Sequence, residues 1–182
     1  MSAYAALVTK AKEAQLPFLV IGGNAVIAYG YPRQTNDFDL LVCTRHRYLW
    51  DALIRESGYF PKNYHAVFHN YKSELPEHHP IDLMLVDPAT FERFEEGAME
   101  TVMEHMQVRI PALLHLLSLK LHAERSSGDK RLGRDFNDIL MLMQINKVNL
   151  ADPAFQEILV KFGNEQIHRR LQLALEKSAS GF

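Results

Sequence analysis

The chain has 182 residues with 47% hydrophobic and 23% charged side chains, the composition of a soluble globular protein with room for one core and a smaller appendage. Its formal charge of −2 argues against coating nucleic acid by bulk electrostatics, and the single cysteine, Cys43, excludes an intramolecular disulfide or a cysteine-based metal site. The apolar run Phe18 to Ala28 is broken by glycine and too short to span a bilayer, so no membrane partner is expected. The N-terminus lacks the layout of a secretory signal, and a cytoplasmic location is the default expectation.

In chain order, Ala3 to Gln15 reads as an amphipathic helix stopped by Pro17, with Ala6, Leu7 and Ala14 among its apolar positions. Phe18 to Ile21 is a short buried strand between Pro17 and Gly22. A helix then opens at Gly22-Gly23, runs over Asn24 to Tyr29, and ends at Gly30 and Pro32. Asp37 to Cys43 reads as a strand, Arg47 to Glu56 as a helix broken by Ser57-Gly58, and Tyr59 to Tyr71 as an aromatic-rich hairpin. Pro80 to Val86 is a further strand. Asp87-Pro88 starts a helix as N-cap and first-turn proline, and Val102 to Ile110 forms a strand pair. After Pro111 only helical periodicity remains, over 112–123, 130–145, 152–162 and 164–177. These elements imply an α+β fold: a small mixed β-sheet with flanking helices over 1–110, then a helical subdomain over 111–182.

The carboxylates of two strands carry the chemistry. Alternation in Asp37-Phe38-Asp39-Leu40-Leu41-Val42 puts Asp37 and Asp39 on one face, roughly 6–7 Å apart along the backbone, and Phe38, Leu40 and Val42 on the other. Aspartate is a poor strand former, and paired like charges beside an apolar strand call for something positive between them. In Ile81-Asp82-Leu83-Met84-Leu85-Val86, Asp82 stands opposite the face of Ile81, Leu83 and Leu85. If the strands are neighbours, Asp82 joins the pair, and three carboxylates suit magnesium or manganese completed by water and phosphate. The bland alternative is that these aspartates cap nearby turns. At Gly22-Gly23-Asn24 two glycines allow close backbone approach, and a helix opening supplies N–H groups to phosphate oxygens, with Asn24 adding a side-chain hydrogen bond.

Gly22-Gly23, Asp37-Phe38-Asp39 on the next strand and Asp82 on a later one together resemble the nucleotidyltransferase superfamily that includes DNA polymerase β. The longer pattern Gly22-Gly23-Asn24-Ala25, Gly30 and Arg33-Gln34-Thr35-Asn36-Asp37-Phe38-Asp39 resembles its small bacterial branch, related to abortive-infection and toxin–antitoxin nucleotidyltransferases. Asn24 stands where that superfamily usually has serine. The resemblance implies a transferase that moves a nucleoside monophosphate from a nucleoside triphosphate to an acceptor hydroxyl, with release of pyrophosphate. It implies Asp37, Asp39 and Asp82 as catalytic, metal-binding carboxylates for Mg2+ or Mn2+, and Gly22, Gly23, Asn24, Arg33 and Lys120 as nucleotide-binding. The acceptor is open among RNA, a protein and a small molecule. The alternative is a non-catalytic, antitoxin-like module that binds a nucleotide or a partner protein.

Lys120 shares an apolar helix face with Leu113, Leu116 and Leu117, so it needs an anionic partner or a route to water. Glu124 one turn on is one candidate, snorkelling a second, and a phosphate or aspartate at the active-site cleft a third. Asp135 and Asp138 share a face of the next helix, where Arg131 and Arg134 are available as i,i+4 partners. A comparable Asp-x-x-Asp in related toxin-type enzymes makes a site role the competing reading. The basic clusters Arg45-His46-Arg47, Lys130-Arg131-Arg134 and His168-Arg169-Arg170 are read as solvated faces, with a docked RNA acceptor as the alternative. The nine histidines are expected on the surface or in loops, and Trp50 and the aromatics of Tyr59 to Tyr71 are expected in the core rather than on a base-stacking platform.

Overall fold

The computed structural model describes residues 2–127 and 133–179. Contacts divide the chain into two compact units, Met1–Ala25 with Arg33–Ala112, and Val26–Pro32 with Leu113–Phe182. The first contains the sheets. Helix α1 (Ala3–Glu13) is capped by Ser2, whose hydroxyl accepts from the Ala5 N–H, and it buries Ala5, Leu7, Val8 and Ala11. It ends short of Pro17, and Gln15 turns the chain at a φ of 53°. Strand β1 (Leu19–Val20) is shorter than the four-residue run expected, because the chain enters α2 (Gly22–Ala28) at once. Then follow β2 (Phe38–Cys43), a 3-10 turn at Thr44–His46 and α3 (Arg47–Glu56). The hairpin β3 (Phe60–His65) and β4 (Phe68–Lys72) leads to β5 (Ile81–Val86) and α4 (Pro88–Glu96), whose N-cap Asp87 accepts from Thr90. A separate two-stranded sheet of β6 (Met99–Met103) and β7 (Met106–Ile110) closes the unit.

The main sheet has the order β1-β2-β5-β4-β3. Strands β2 and β5 are parallel and the other pairings antiparallel, so the crossover between β2 and β5 carries α3 and the whole β3–β4 hairpin. Burial alternates strictly along β5, whereas β2 alternates over Phe38–Leu40 and then buries Leu41 and Cys43 on the Asp39 face as well. Phe38, Leu40 and Val42 of β2 and Ile81, Leu83 and Leu85 of β5 are all buried on one face. Burying six such side chains gives the sheet a strong preference for this register, since a one-residue slip would turn all of them outward.

Helix α3 ties the hairpin to that core through Asp51. Its carboxylate is paired with Arg55 at 2.8 Å and accepts from the hydroxyls of Tyr71, at 2.9 Å, and Tyr64. Burial alone pushes the Asp51 carboxyl upward, but the bonds from Tyr64, Tyr71 and Arg55 outweigh it and hold the group below the usual carboxylate range. Trp50, Tyr59 and Tyr71 are core residues, as expected of the aromatics here, whereas Phe60 and Tyr64 are about half exposed at the sheet edge.

The second unit is helical, with α5 (Leu113–Ser127), α6 (Arg134–Ile145), α7 (Pro153–Phe162) and α8 (Glu165–Ala179). Asp152 caps α7 ahead of Pro153, and Asn164 accepts from the Ile167 N–H in the first turn of α8. No helix among the described residues is long and apolar enough to cross a membrane.

The Asp51 cluster gives a pH-dependent expectation. A depressed folded-state pKa contributes stability that is present above the unfolded value and lost as pH falls through the folded one. Asp51→Ala should therefore lower stability by about 1.5–3 kcal/mol at neutral pH in urea denaturation, with the gap to wild type closing below about pH 4. A gap absent at neutral pH, or unchanged in acid, would contradict this account of the hairpin anchor.

Candidate functional site

Three short segments of the sheet unit converge at one end of β2. The β2–β5 register sets Asp39 directly beside Asp82. Adjacent strands are about 4.8 Å apart and register partners share a face, so the two half-buried carboxylates are neighbours on the face opposite the apolar core. Asp37 lies just before β2 rather than within it, also half-buried. Its carbonyl oxygen accepts from Asn24 Nδ2 at 3.1 Å, which ties the opening turn of α2 to the entry of β2.

The glycines are explained by what stands against them. Gly22 has a φ of 61°, in the left-handed region, and a Cβ placed there would lie 1.9 Å from Asp39 Oδ2. The Asp39 carboxylate thus sits where a side chain at 22 would be. A Cβ on Gly23 would lie 2.4 Å from the Thr35 hydroxyl and 2.9 Å from an Arg33 guanidinium nitrogen. Arg33 and Thr35 are therefore packed over the turn. Helix α2 has only seven residues, so its dipole is small.

Tyr4 completes the surroundings and was not singled out by sequence. Its ring stacks on Phe38 at 4.2 Å between centroids and 23° between planes. Burial, followed by the charges of Tyr59, Asp37, Glu104 and Asp39, raises its phenol above the usual tyrosine range. Tyr4, Asn24 and Phe38 also line a small cavity of about 50 Å³ with Glu104 of the β6–β7 turn and Met106 at the start of β7. Tyr4 extends the buried stripe of Leu7, Val8 and Ala11, but only the fold reveals that this stripe starts beside the carboxylates.

Among the described residues, no group of three or more His, Cys, Asp or Glu side chains is arranged to enclose a metal ion by itself. A magnesium ion commonly takes one or two protein carboxylates and completes its shell with water and substrate phosphates. The Asp39–Asp82 pair, with Gly22 leaving room for the Asp39 carboxylate, fits that shared mode of binding. A closed all-protein cage is not the pattern here.

Lys120 belongs to the helical unit. It is 7% exposed, and its Nζ lies 2.9 Å from Asp135 Oδ1 and 2.7 Å from Asp138 Oδ2. Asp135 and Asp138 thus turn inward to a lysine of α5. This replaces the simple pairing of Asp138 with Arg134 that helix spacing suggested, because burial of both carboxylates demands a buried cation. Arg131, the other expected partner, and Lys130 lie outside the described residues. Glu124 is engaged elsewhere, with Arg170 at 2.8 Å and with the Phe136 N–H at 3.2 Å. Lys120, Glu124, Asp135, Asp138 and Arg170 thus join α5, α6 and α8 by charge.

No protein-family model matches the sequence, and no curated protein does. Solved structures do match in fold. The solution structure of the antibiotic-resistance factor ANT(2'')-Ia aligns with a TM-score of 0.60 at 14% identity, over 98% of this chain and 91% of that one. The chain has the nucleotidyltransferase fold. The lincosamide antibiotic adenylyltransferase LnuA, solved with lincomycin bound, aligns with a TM-score of 0.58 at 14% identity, over 79% of this chain and 96% of that one. An antigenic nucleotidyltransferase-like protein from Paracoccidioides brasiliensis aligns at 0.57 and 19% identity, over 93% and 87%. The α+β architecture expected from the sequence, a mixed sheet followed by helices, is the one these structures share.

Gly22→Ala tests the close approach at the turn. It combines a strained φ with a contact that must expel the Asp39 carboxylate, and the expected loss is about 1–3 kcal/mol of stability. Thermal melting and urea denaturation check this, and wild-type stability in Gly22→Ala would contradict the close packing of Asp39 against the turn.

Proposed function

We propose that the protein is a metal-dependent nucleotidyltransferase, moving a nucleoside monophosphate from a nucleoside triphosphate to an acceptor hydroxyl. One observation carries this reading: Asp39 and Asp82 stand side by side on parallel strands, with Gly22 fitted against the Asp39 carboxylate. A fold alone hosts many activities, so the carboxylates and the glycine turn weigh more than the structural likeness.

In this reading Asp37, Asp39 and Asp82 would hold Mg2+ or Mn2+, with the triphosphate supplying further ligands. When bound, the ion neutralises phosphate charge and lowers the pKa of the acceptor hydroxyl. The N–H groups at Gly22, Gly23 and Asn24 receive phosphate oxygens, and Arg33 beside Gly23 supplies positive charge. The acceptor oxygen bonds to the α-phosphorus as the bond to the β-phosphate oxygen breaks. Pyrophosphate leaves, and Asp82 or solvent takes the hydroxyl proton. Lys120 enters as a triphosphate contact, although its two aspartate partners would then have to share it.

Acceptors remain open among RNA, protein and small molecules. Of the fold relatives, LnuA is named for adenylyl transfer to lincosamides, and ANT(2'')-Ia was solved with adenylyl-2''-tobramycin. They support including small polyhydroxylated antibiotics among the acceptors tested. Val160 on α7 and Leu173 on α8 are exposed single residues, ordinary for a surface, and do not favour the partner-binding alternative.

The test incubates the protein with each labelled triphosphate, magnesium and acceptor pools of total RNA, cell lysate protein and aminoglycosides. Label should move to one pool, and Asp39→Ala or Asp37→Ala should reduce transfer by at least about a thousandfold. Lys120→Arg, which keeps the buried charge, should stay folded and weaken triphosphate binding. Transfer that survives loss of Asp39 would sink the assignment, and unchanged affinity in Lys120→Arg would remove Lys120 from it.

A further inference from the structure

One row of register partners crosses four strands of the sheet. It runs from Asp39 on β2 to Asp82 on β5, Asn70 on β4 and Asn63 on β3. Register partners share a face, so Asp82 has a carboxylate on one side and an amide on the other. Asn70 Nδ2 donates to Asp82 Oδ1 at 2.7 Å. A carboxylate only accepts, so the NH2 end of the amide is the end that faces it.

Two features separate this contact from ordinary sheet packing. The terminal torsion of aspartate is broad and nearly two-fold, so the backbone of β5 does not by itself fix where the Asp82 oxygens point. A short bond from the neighbouring strand does. Asparagine is also disfavoured in strands, and β4 is anchored without it, by its backbone ladder to β5 and by Tyr71 on Asp51. The choice of side chain at 70 then has a chemical reason. Lysine or arginine would orient Asp82 but neutralise the carboxylate pair and repel a cation. Aspartate would add a third like charge. Alanine would remove this donor. A neutral donor orients without competing.

We propose that Asn70 is a positioning residue, holding the Asp82 carboxylate through Nδ2 so that the Asp39–Asp82 pair can accept a divalent cation carried on a triphosphate. The inference rests on the reading of that pair given above. It adds to the site a residue on β4, a strand that carries none of the carboxylates.

The test titrates Mn2+ into the protein with a non-hydrolysable analogue of each of the four nucleoside triphosphates, reading bound Mn2+ by electron paramagnetic resonance and folding by thermal melting. Wild type should bind, and Asp39→Ala should not. Asn70→Ala should melt within a few degrees of wild type and bind Mn2+ about tenfold more weakly, the scale on which residues that orient metal ligands act. Should Asn70→Ala fail to fold, Asn70→Gln carries the test, because its longer amide displaces the donor by one methylene and is expected to weaken binding several-fold. Wild-type binding with Asp39→Ala silent and the folded Asn70 variant unchanged overturns the role of Asn70 while leaving the site intact. A lowered melting point with unchanged Mn2+ affinity does the same, since a purely structural residue would behave so. Absence of binding by wild type overturns the site, and the inference with it.

Discussion

The organisation of the sheet unit depends on the parallel register of β2 and β5, which sets Asp39 beside Asp82. Two like charges about 5 Å apart, the spacing of neighbouring strands, repel by on the order of 3 kcal/mol at the effective dielectric of a partly buried site. The register is held regardless, because each strand buries three apolar side chains on the opposite face that would lose their burial if it slipped. The core therefore imposes a charge arrangement that a free chain would avoid. Such an arrangement is relieved by a cation, and the glycine turn and the Asn70 amide are shaped around the same carboxylates.

In the helical unit two buried aspartates, Asp135 and Asp138, are paired with Lys120, and Glu124 with Arg170. Removing one partner of such a buried pair typically costs about 3–5 kcal/mol, so these pairs contribute to holding α5, α6 and α8 together. In the proposed reading the carboxylates of the sheet unit take the ligand, while those of the helical unit tie its helices together.

How much of this was legible in the sequence followed the range of each interaction. Alternation in Phe38-Asp39-Leu40 and Ile81-Asp82-Leu83 revealed both strands and the exposed side of each aspartate, because period-two burial is a local property. Asp87-Pro88 revealed the start of α4 for the same reason, since capping is settled within one turn. The adjacency of β2 and β5 could only be supposed, because the crossover between them contains a helix and two further strands. Asn70 was unreadable: an asparagine in an aromatic-rich hairpin has no meaning until its register with Asp82 is known. Tyr4 was hidden likewise, and Lys120 revealed its need for an anion but not which helix would supply it.

The central claim is that Asp39 and Asp82 receive one divalent cation between them. Crystals grown with Mn2+ and a non-hydrolysable triphosphate, measured at the manganese absorption edge, test it most directly. The account predicts an anomalous peak within about 2–2.5 Å of an oxygen of each carboxylate, with triphosphate oxygens completing the shell. A peak on the triphosphate that touches neither aspartate, or bound triphosphate with no metal beside the pair, would contradict it.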